Sequence, residues 1–418
     1  MKPFFLACSL LVLFGFAVSA QTINLKYAFW GNPDAIGVEK DIIDAYQAKH
    51  PNVKITPVAI AYNDYHAKLL IMIAGGQSPD VMRIDSYFFQ DFMKNKVLKD
   101  LTKLISTNKF DLSKLYSVGL QDVKVGDRIY GLPWSTSPNY LFINKKMFAA
   151  AGIPVPSASW TYNDFMAICK KLSKGEGENQ QWGYGFYLGE YYPLLSFVWG
   201  VGGDLFDSTR TKFALNNPAV VSRLDELQDA VKKGCFTNPF TFSNGDQIAR
   251  YFSQNKTAMI VGAGSVILSL QKIEGLDFAV LPFPGTAKVP AVTMYKSNIV
   301  GISEQTKNEK AAWEFLSFLR GYEGEKLYME AKRMPPTYND QTLWDIYADP
   351  KLPPANLKGI TQLISEKYGR TLQLRSGWTE IQNLILQALQ KSFSGQTTNA
   401  KALAEVAPKV QAILDKNK

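Results

Sequence analysis

The chain has 418 residues, enough for two lobes with separate hydrophobic cores, and carries a formal net charge of +9. Its basic residues are interleaved with acidic and apolar ones, without an RNP-like motif or an arginine-rich helix, which argues against nucleic-acid binding and predicts a solvated positive face. Aromatic residues are abundant (25 Phe, 20 Tyr and 8 Trp), more than packing usually needs.

The N-terminus has the pattern of a secretory signal peptide. Lys2 supplies a positive charge, residues 4–16 are almost wholly apolar, and small residues follow up to Ala20. The apolar stretch is too short to span a membrane. Cys8 lies too early in it for a lipoprotein cleavage site. We therefore predict an exported, periplasmic protein whose residues 1–20 are removed by cleavage after Ala20.

Strand and helix patterns alternate along the next segment. Residues 23–29 alternate as a strand, apolar residues then recur at helical spacing up to Pro51, and a second strand begins at Val53. Such an order predicts an α/β fold with a mostly parallel sheet and covering helices.

A second helix is predicted from Tyr65. The capping-type residues Asn63 and Asp64 precede it. Gly75 and Gly76 are expected to supply the left-handed conformation that ends a helix. The helix therefore ends just before the next strand.

Polar residues follow that next strand directly. Pro79 prevents the helix from resuming, residues 81–84 form a short buried strand, and Asp85 and Tyr87 come immediately after it. Ligands bind at the carboxyl ends of strands in doubly wound sheets, so this point is a candidate site. The simpler interpretation is an α/β repeat without a ligand.

The later chain is predicted to continue in the same way. Strands are expected around residues 140–144, 183–186 and 258–261, and helices over 147–151, 162–172, 220–233 and 311–320. Trp160 and Trp313 lie on helical faces and are assigned to the core. Residues 278–284 lead into a Pro- and Gly-containing segment that we interpret as a crossing between lobes.

Catalytic and metal-binding motifs are absent from the sequence. The chain after residue 20 has two histidines, His50 and His66, and neither lies in a metal or nucleophile motif. Cys169 and Cys235 have no CxxC spacing, so they either pair or stay as free thiols. We predict no enzyme activity, no metal and no cofactor. A secreted carbohydrate-active enzyme stays an alternative, because that chemistry needs only two facing carboxylates.

What remains is a set of aromatic and hydrogen-bonding residues near predicted strand ends. They are Trp30, Asp85, Tyr87, Trp134, Tyr191, Tyr192, Trp199, Tyr295 and Trp378. Sugars suit such residues, because their C–H faces stack on aromatic rings and their hydroxyls need groups that donate and accept. For any single aromatic, packing in the core is the more common role.

Several short motifs also occur in a characteristic order. They are residues 62–101 with a Gly-Gly-x-x-Pro-Asp-Val core, Gly131-Leu132-Pro133 before Asn144-Lys145, residues 151–154 with Trp160-Thr161, and residues 202–206, 256–259 and 311–316. In this order the chain resembles the extracellular solute-binding proteins of carbohydrate ABC uptake systems, the relatives of maltodextrin-binding protein. The resemblance covers nearly the whole chain after residue 20.

The resemblance implies a two-lobed periplasmic-binding-protein fold of type II, each lobe a mostly parallel sheet flanked by helices. Residues 21–135 with 287–331 would form the N-terminal lobe, and residues 136–286 with 332–418 the C-terminal lobe. It further implies a monomer that closes about a hinge on a carbohydrate ligand and docks on a membrane permease with its ATPase subunits.

The resemblance also implies where ligand is held. The positions are Trp30, Asn32, Asp85, Trp134, Ser135, Tyr192, Gly264, Ser265, Tyr295, Arg375 and Trp378. Many relatives carry a tryptophan near Gly264, which this chain lacks, so the main stacking platform is expected at Tyr295 or Trp378. Arg375 matches an arginine that contacts ligand in some relatives. A non-sugar ligand, such as ferric ion on the phenolates of Tyr191 and Tyr192, a polyamine or another small solute, stays open.

Overall fold

A computed structural model of the protein describes residues 21–31, 33–188, 192–242, 244–286, 288–332, 334–372 and 374–417. The predicted signal peptide, Asn32 and Tyr191 lie outside these residues. Of Tyr192 only the backbone is described.

The described part of the chain contains eleven strands. They are β1 (Ile23–Trp30), β2 (Val53–Ile60), β3 (Val81–Ile84), β4 (Lys124–Val125), β5 (Arg128–Ile129), β6 (Leu132–Asn144), β7 (Trp182–Gly185), β8 (Thr257–Ala263), β9 (Phe278–Leu281), β10 (Thr293–Ile302) and β11 (Gly369–Thr371).

Helices separate most of these strands and make up the C-terminal part. They are α1 (Pro33–Lys49), α2 (Tyr62–Ala74), α3 (Phe89–Lys94), α4 (Thr102–Thr107), α5 (Ser117–Leu120), α6 (Lys145–Ala150), α7 (Tyr162–Leu172), α8 (Tyr192–Trp199), α9 (Pro218–Lys232), α10 (Gly245–Ser253), α11 (Ser265–Gln271), α12 (Glu309–Arg320), α13 (Tyr322–Glu330), α14 (Gln341–Tyr347), α15 (Leu357–Leu363), α16 (Trp378–Phe393) and α17 (Asn399–Lys416).

The main sheet has the strand order β2-β1-β3-β10-β6-β8-β7, with β11 beside β10 and β9 beside β6. The pairings β2-β1, β1-β3, β7-β8 and β10-β11 are parallel, as expected for strands connected through helices. The strands β6 and β10 pair antiparallel with each other, and β10 does so with β3 and β6 with β8 and β9. The predicted α/β class is confirmed, with antiparallel pairing concentrated on these two long strands.

Strand β6 connects the two halves of the sheet. Its first residues pair with β10, from Leu132 opposite Val300 to Pro138 opposite Tyr295, and its last residues pair with β8 and β9. The β6–β10 pairing is interrupted by a bulge between Lys296 and Asn298. Bulges bend and twist a strand pair locally, so the sheet is irregular at this point.

The start of α2 differs from the prediction. The helix begins at Tyr62 after an N-cap at Ala61 that makes no side-chain hydrogen bond, and Asp64 lies inside its first turn rather than before it. The capping role predicted for Asn63 and Asp64 is therefore wrong. At the other end only Gly76 is left-handed, with φ 69°, whereas Gly75 has φ −82°.

Other expectations about the core hold. Trp160 and Trp313 are buried, as predicted. Cys169 and Cys235 are not bonded to each other, and Cys169 is fully buried. Within the described part of the chain, every helix is too short or too polar to cross a bilayer.

Candidate functional site

A cavity of about 460 Å³ lies at the junction of the two halves of the sheet. Its lining comes from the carboxyl ends of β1 and β3, from β6 and β10, from the start of α10 and from the turn between β8 and α11. The lining residues are Trp30, Tyr62, Asp85, Tyr87, Trp134, Ser135, Ser137, Asn139, Asn244, Gly245, Asp246, Ala263, Gly264, Ser265, Val266, Lys296, Asn298, Met334 and Pro335. The cavity thus occupies the edge of the sheet where α/β proteins bind ligands.

Six of the residues implied by the family resemblance come together here. They are Trp30, Asp85, Trp134, Ser135, Gly264 and Ser265. Tyr192 is the first residue of α8.

The structure does not bring Tyr295, Arg375 or Trp378 to this cavity. Tyr295 is fully buried, and its hydroxyl accepts a hydrogen bond from Ser365 at 3.0 Å. It neighbours Lys296, and successive side chains of a strand point to opposite faces, so Lys296 faces the cavity while Tyr295 does not. Trp378 is buried at the start of α16, and the Arg375 guanidinium donates to the backbone oxygen of Asn417 at 3.3 Å. The expected stacking platform is therefore not found at Tyr295 or Trp378.

Two tryptophans form a rigid wall of the cavity. The rings of Trp30 and Trp134 lie edge to face with centroids 6.1 Å apart, and both are at least nine-tenths buried. The guanidinium of Arg83 lies 3.4 Å from the centroid of the Trp134 ring and 5.3 Å from that of Trp30. Arg83 also donates to the backbone oxygen of Trp30 at 3.2 Å and pairs with the buried carboxylate of Glu39. This buried cation fixes the orientation of both indoles from behind.

Tyr62 is a third aromatic ring at the cavity and is much more exposed, at 41%. Its ring packs edge to face against Trp30, with centroids 5.7 Å apart, and its hydroxyl donates to Asp85 at 2.9 Å. Sequence reasoning missed it because the helix was predicted to begin three residues later. The true start of α2 puts Tyr62 in the first turn, at the edge of the cavity.

Asp85 is the best-connected polar residue of the site. One carboxylate oxygen accepts from the backbone N–H of Tyr87 at 3.0 Å, and the other accepts from Tyr62 and from Lys296, the latter at 2.6 Å. Burial alone raises the pKa of Asp85, but the charge of Lys296 and these hydrogen bonds outweigh it, so the pKa is lowered. The Lys296 ammonium also lies 3.9 Å from the Tyr87 ring centroid. The carboxylate is therefore ionised and held in one orientation.

His66 supports Asp85 from the protein interior. Its Nε2 accepts a hydrogen bond from the backbone N–H of Asp85 at 3.1 Å, and its ring stacks on Phe88 at 3.9 Å. Burial lowers the pKa of His66 to about 4, against the opposing charge of Asp85. The neutral imidazole has a positioning role, which its isolated place in the sequence did not indicate.

Two buried polar atoms at the cavity wall lack a hydrogen-bond partner in the described chain. They are the indole N–H of Trp134 and the side-chain oxygen of Asn298. Buried polar groups are nearly always paired, so such atoms mark places where water or ligand completes the structure.

The other half of the sheet contributes a polar helix start that the sequence reasoning did not identify. Asn244 caps α10 by accepting from the backbone N–H of Gln247 at 3.1 Å, and Gly245 and Asp246 follow it along the cavity. The spacing of Asn244 and Gln247 is a recognisable helix-start signal, so it could have predicted this helix end. It could not have predicted that this helix end lines the same cavity as Trp30 and Asp85.

Gly264 allows a close approach between α11 and β6. Its φ is −57°, so no left-handed conformation requires glycine. A Cβ at this position would lie 2.5 Å from the Ser137 hydroxyl oxygen and 3.3 Å from Pro335. Glycine is needed here for space, at the point where both halves of the sheet line the cavity.

No three His, Cys, Asp or Glu side chains of the described ranges come together as a candidate metal site. The site offers aromatic rings, hydroxyls, amides and one ion pair. Such groups bind a polar ligand through hydrogen bonds and ring contacts.

Comparison with known proteins agrees with this architecture. The family described as bacterial extracellular solute-binding protein matches residues 33–326. A Brucella abortus protein named only as a binding protein is 22% identical over 383 residues, covering 90% of each chain. The galactooligosaccharide-binding protein of Bacillus subtilis is 24% identical over 322 residues, covering 73% of this chain and 71% of its own.

Solved structures share the fold. The ABC substrate-binding protein Lmo0181 of Listeria monocytogenes, in complex with cycloalternan, superposes with a TM-score of 0.82 and 23% identity, covering 94% of this chain and 100% of the other. This similarity confirms the two-lobed periplasmic-binding-protein fold.

Proposed function

Because the chain belongs to the bacterial extracellular solute-binding protein family, we propose that it is the substrate-binding receptor of an ABC importer for a sugar or oligosaccharide. The ligand would occupy the cavity of about 460 Å³ between the two halves of the sheet. The relatives described as binding galactooligosaccharide and cycloalternan support this ligand class.

The observation that carries the proposal is the combination of fixed aromatic rings with an ionised carboxylate at one cavity. Trp30 and Tyr62 offer ring surface to the C–H faces of a sugar. Asp85 accepts hydrogen bonds from hydroxyls, and the unpartnered oxygen of Asn298 offers a further acceptor. Sugar hydroxyls would supply hydrogen bonds to polar atoms that have no partner in the described part of the protein.

The charge balance favours a neutral ligand. Among the described lining residues Lys296 is the one cation, and Asp85 already pairs with it at 2.6 Å. Asp246 adds an exposed negative charge to the same lining. A phosphate or sugar acid would find no unpaired cation in this lining, so we propose a neutral sugar over an anionic one.

We propose that the cavity binds sugar without hydrolysing it. Glycoside hydrolysis needs one carboxyl group with a raised pKa as general acid and a second carboxylate opposite it. The pKa of Asp85 is lowered by Lys296 and its hydrogen bonds. The protein would therefore bind a sugar and release it unchanged.

Transport requires export and a membrane partner. We propose that residues 1–20 are cleaved after Ala20 and that the closed, loaded protein, as a monomer, docks on a permease with its ATPase subunits. The lobes would comprise residues 21–135 with 287–331 and residues 136–286 with 332–418, so that β6 and β10 form the hinge. N-terminal sequencing of the exported protein tests the cleavage site, and a lipid-modified Cys8 would overturn it.

A thermal-shift screen tests the ligand class. The chain lacking residues 1–20 is heated with neutral mono- and oligosaccharides, with sugar acids and glycerol phosphate, and with ferric ion or polyamines. A neutral sugar at about 100 times its dissociation constant should add roughly 2.7 kcal/mol of stability, and chromatography should recover it intact. Stabilisation by the anions, by iron or by polyamines alone, or cleavage of the sugar, would contradict the proposal.

A further inference from the structure

A second cavity, of about 210 Å³, shares no lining residue with the sugar cavity. Arg210 and Arg370 line it, together with Trp199, Asp204, Gln121 and Thr371. We propose that this cavity is an anion site that binds the phosphate or carboxylate group of a small molecule between the two guanidiniums. The site is independent of the sugar cavity and of the ligand proposed for it.

The single carboxylate of this cavity is already engaged through both of its oxygens. One oxygen of Asp204 accepts from the indole N–H of Trp199 at 3.1 Å and from the backbone N–H of Leu205 at 2.8 Å. Its other oxygen pairs with the guanidinium of Arg370, which also lies 4.7 Å from the centroid of the Trp199 ring. Asp204 therefore fixes Arg370 at the cavity, and Arg210 forms no ion pair with it.

Arg210 is the cation without a counter-ion. Its side chain has no hydrogen bond or ion pair in the described part of the protein, although it is partly withdrawn from solvent. Burial lowers its pKa, and the charges of Arg370 and Arg375 lower it further, against the opposing effect of Asp204. Among the described lining residues two guanidiniums therefore face one carboxylate, and Arg370 already pairs with it. An unpaired cation at a cavity is the pattern expected where a bound anion completes the charge balance.

Gln121 adds a further hydrogen-bond donor to the lining. The side-chain oxygen of Gln121 accepts from the Thr371 hydroxyl at 3.1 Å, and its amide NH₂ has no partner among the described residues. The planar forks of Arg210 and Arg370 suit the paired oxygens of a phosphate or carboxylate. The cavity has many times the volume that one water molecule needs, so an oxyanion fits with part of the molecule that carries it.

Calorimetric titration with inorganic phosphate, and separately with citrate, tests the site at constant ionic strength. We expect saturable 1:1 binding of at least one of these anions to the wild-type chain. Arg210→Gln should weaken that binding at least tenfold. Lys212→Gln is the matched control, because it removes the same charge from an exposed residue of the same segment that does not line the cavity; its affinity should stay within twofold of wild type.

Arg210→Lys provides a second variant that keeps the charge but loses the planar fork, and we expect it to bind several-fold more weakly than wild type. Melting curves confirm that each variant is folded, and sugar affinity should be unchanged in all three. Absence of saturable binding of both anions, or equal weakening by Arg210→Gln and Lys212→Gln, would overturn the proposal. Preference for phosphate over citrate, or the reverse, identifies the class of oxyanion.

Discussion

Asp85 illustrates how a single residue is prepared for binding. Lys296, Tyr62 and the backbone N–H of Tyr87 hold its carboxylate ionised and oriented, and His66 fixes its backbone. These partners come from three different segments of the chain, so a change at Asp85 acts on the cavity as a whole.

Asp85→Asn should weaken sugar binding by about 1–3 kcal/mol, because the amide offers one acceptor oxygen in place of two and leaves Lys296 without its counter-ion. Isothermal titration calorimetry measures the effect. The control is Asp64→Asn, an exposed carboxylate of α2 that pairs with Lys68 away from the cavity. Equal affinities of wild type and Asp85→Asn would remove Asp85 from the site.

Tyr62→Ala should cost about 1–2 kcal/mol of sugar affinity with little change in melting temperature, because the ring is exposed and loses its contact with ligand. Tyr322→Ala is a matched control, since Tyr322 is 42% exposed against 41% for Tyr62 and does not line the cavity. Tyr62→Phe keeps the ring and removes the hydroxyl, so its sugar affinity should lie between those of wild type and Tyr62→Ala. A normal affinity of Tyr62→Ala would argue that sugar does not reach this edge.

Asp122 should make stability depend on pH. It is buried, and its carboxylate accepts from the backbone N–H of Ser297 on β10 at 3.0 Å. Burial raises its pKa to about 8 from an ordinary value of 3.8. The unfolded chain therefore releases this proton at lower pH than the folded chain does. The contribution to stability is complete below pH 4 and is lost as the pH rises toward 8, by up to about 1.4 kcal/mol per pH unit.

Asp122→Asn keeps the acceptor oxygen and removes the titration. Urea unfolding at pH 5, 6.5 and 8 should show the variant gaining stability relative to wild type as the pH rises. The lowered pKa of His66 has the opposite effect, since it makes stability rise with pH between about 4 and 6.5, but this effect is present in both proteins and cancels in the comparison. A difference that is constant over this pH range would refute the account of Asp122.

Site residues at the end of a strand could be predicted from the sequence. Site residues within a strand could not, because the strand register decides which side chains face the cavity. Trp30 and Asp85 could be predicted because they end β1 and follow β3. Tyr295 was misplaced by one position on β10, since the choice between Tyr295 and Lys296 depends on which face of the strand meets the cavity. The stacking of Arg83 on Trp134 joins residues far apart in the chain, which sequence patterns do not reveal.

Among the secondary-structure elements, β6 and β10 decide where the site lies. Strand β6 pairs with β10 through its first residues and with β8 and β9 through its last ones. Lys296 and Asn298, two positions apart on β10, both line the cavity. Strands with regular alternation, such as β1, could be predicted from composition and period. The pairing of β6 with β10, β8 and β9 could not, because it depends on contacts between residues more than a hundred positions apart.

Gly264→Ala tests the close approach of α11 to β6. The added methyl group would contact the Ser137 hydroxyl and Pro335, so we expect a loss of about 1–2 kcal/mol in stability and several-fold weaker sugar binding. Gly359→Ala is the control, since its added methyl meets no atom within 4 Å and lies in the exposed part of α15. It should stabilise the protein by up to about 1 kcal/mol and leave sugar affinity unchanged. Indistinguishable affinities of the two variants would mean that the α11–β6 contact does not shape the site.

At the scale of the whole molecule, the proposed mechanism is closure of two lobes about β6 and β10. A sugar that contacts both halves of the cavity would bind the closed form more tightly than the open form. This difference in sugar affinity would shift the equilibrium toward the closed form. Small-angle X-ray scattering should therefore show a smaller radius of gyration at saturating sugar than without it. Identical scattering profiles would contradict closure.

The overall architecture was the most predictable level. The order of motifs along the chain implied two α/β lobes, and the fold confirms them. The ligand is the least predictable level, because it depends on side-chain geometry at a few positions. The departure near Gly264 illustrates this, since the proposed stacking rings, Trp30 and Tyr62, lie at other positions of the cavity.

We propose above all that a neutral sugar binds in the cavity between Trp30, Tyr62 and Asp85 on one side and the start of α10 on the other. A crystal structure of the chain with the sugar that gives the largest thermal shift tests it most directly. We expect one intact sugar in this cavity, with a ring against Trp30 or Tyr62 and a hydroxyl donating to Asp85. A sugar bound elsewhere, or an empty cavity at saturating sugar, would contradict it.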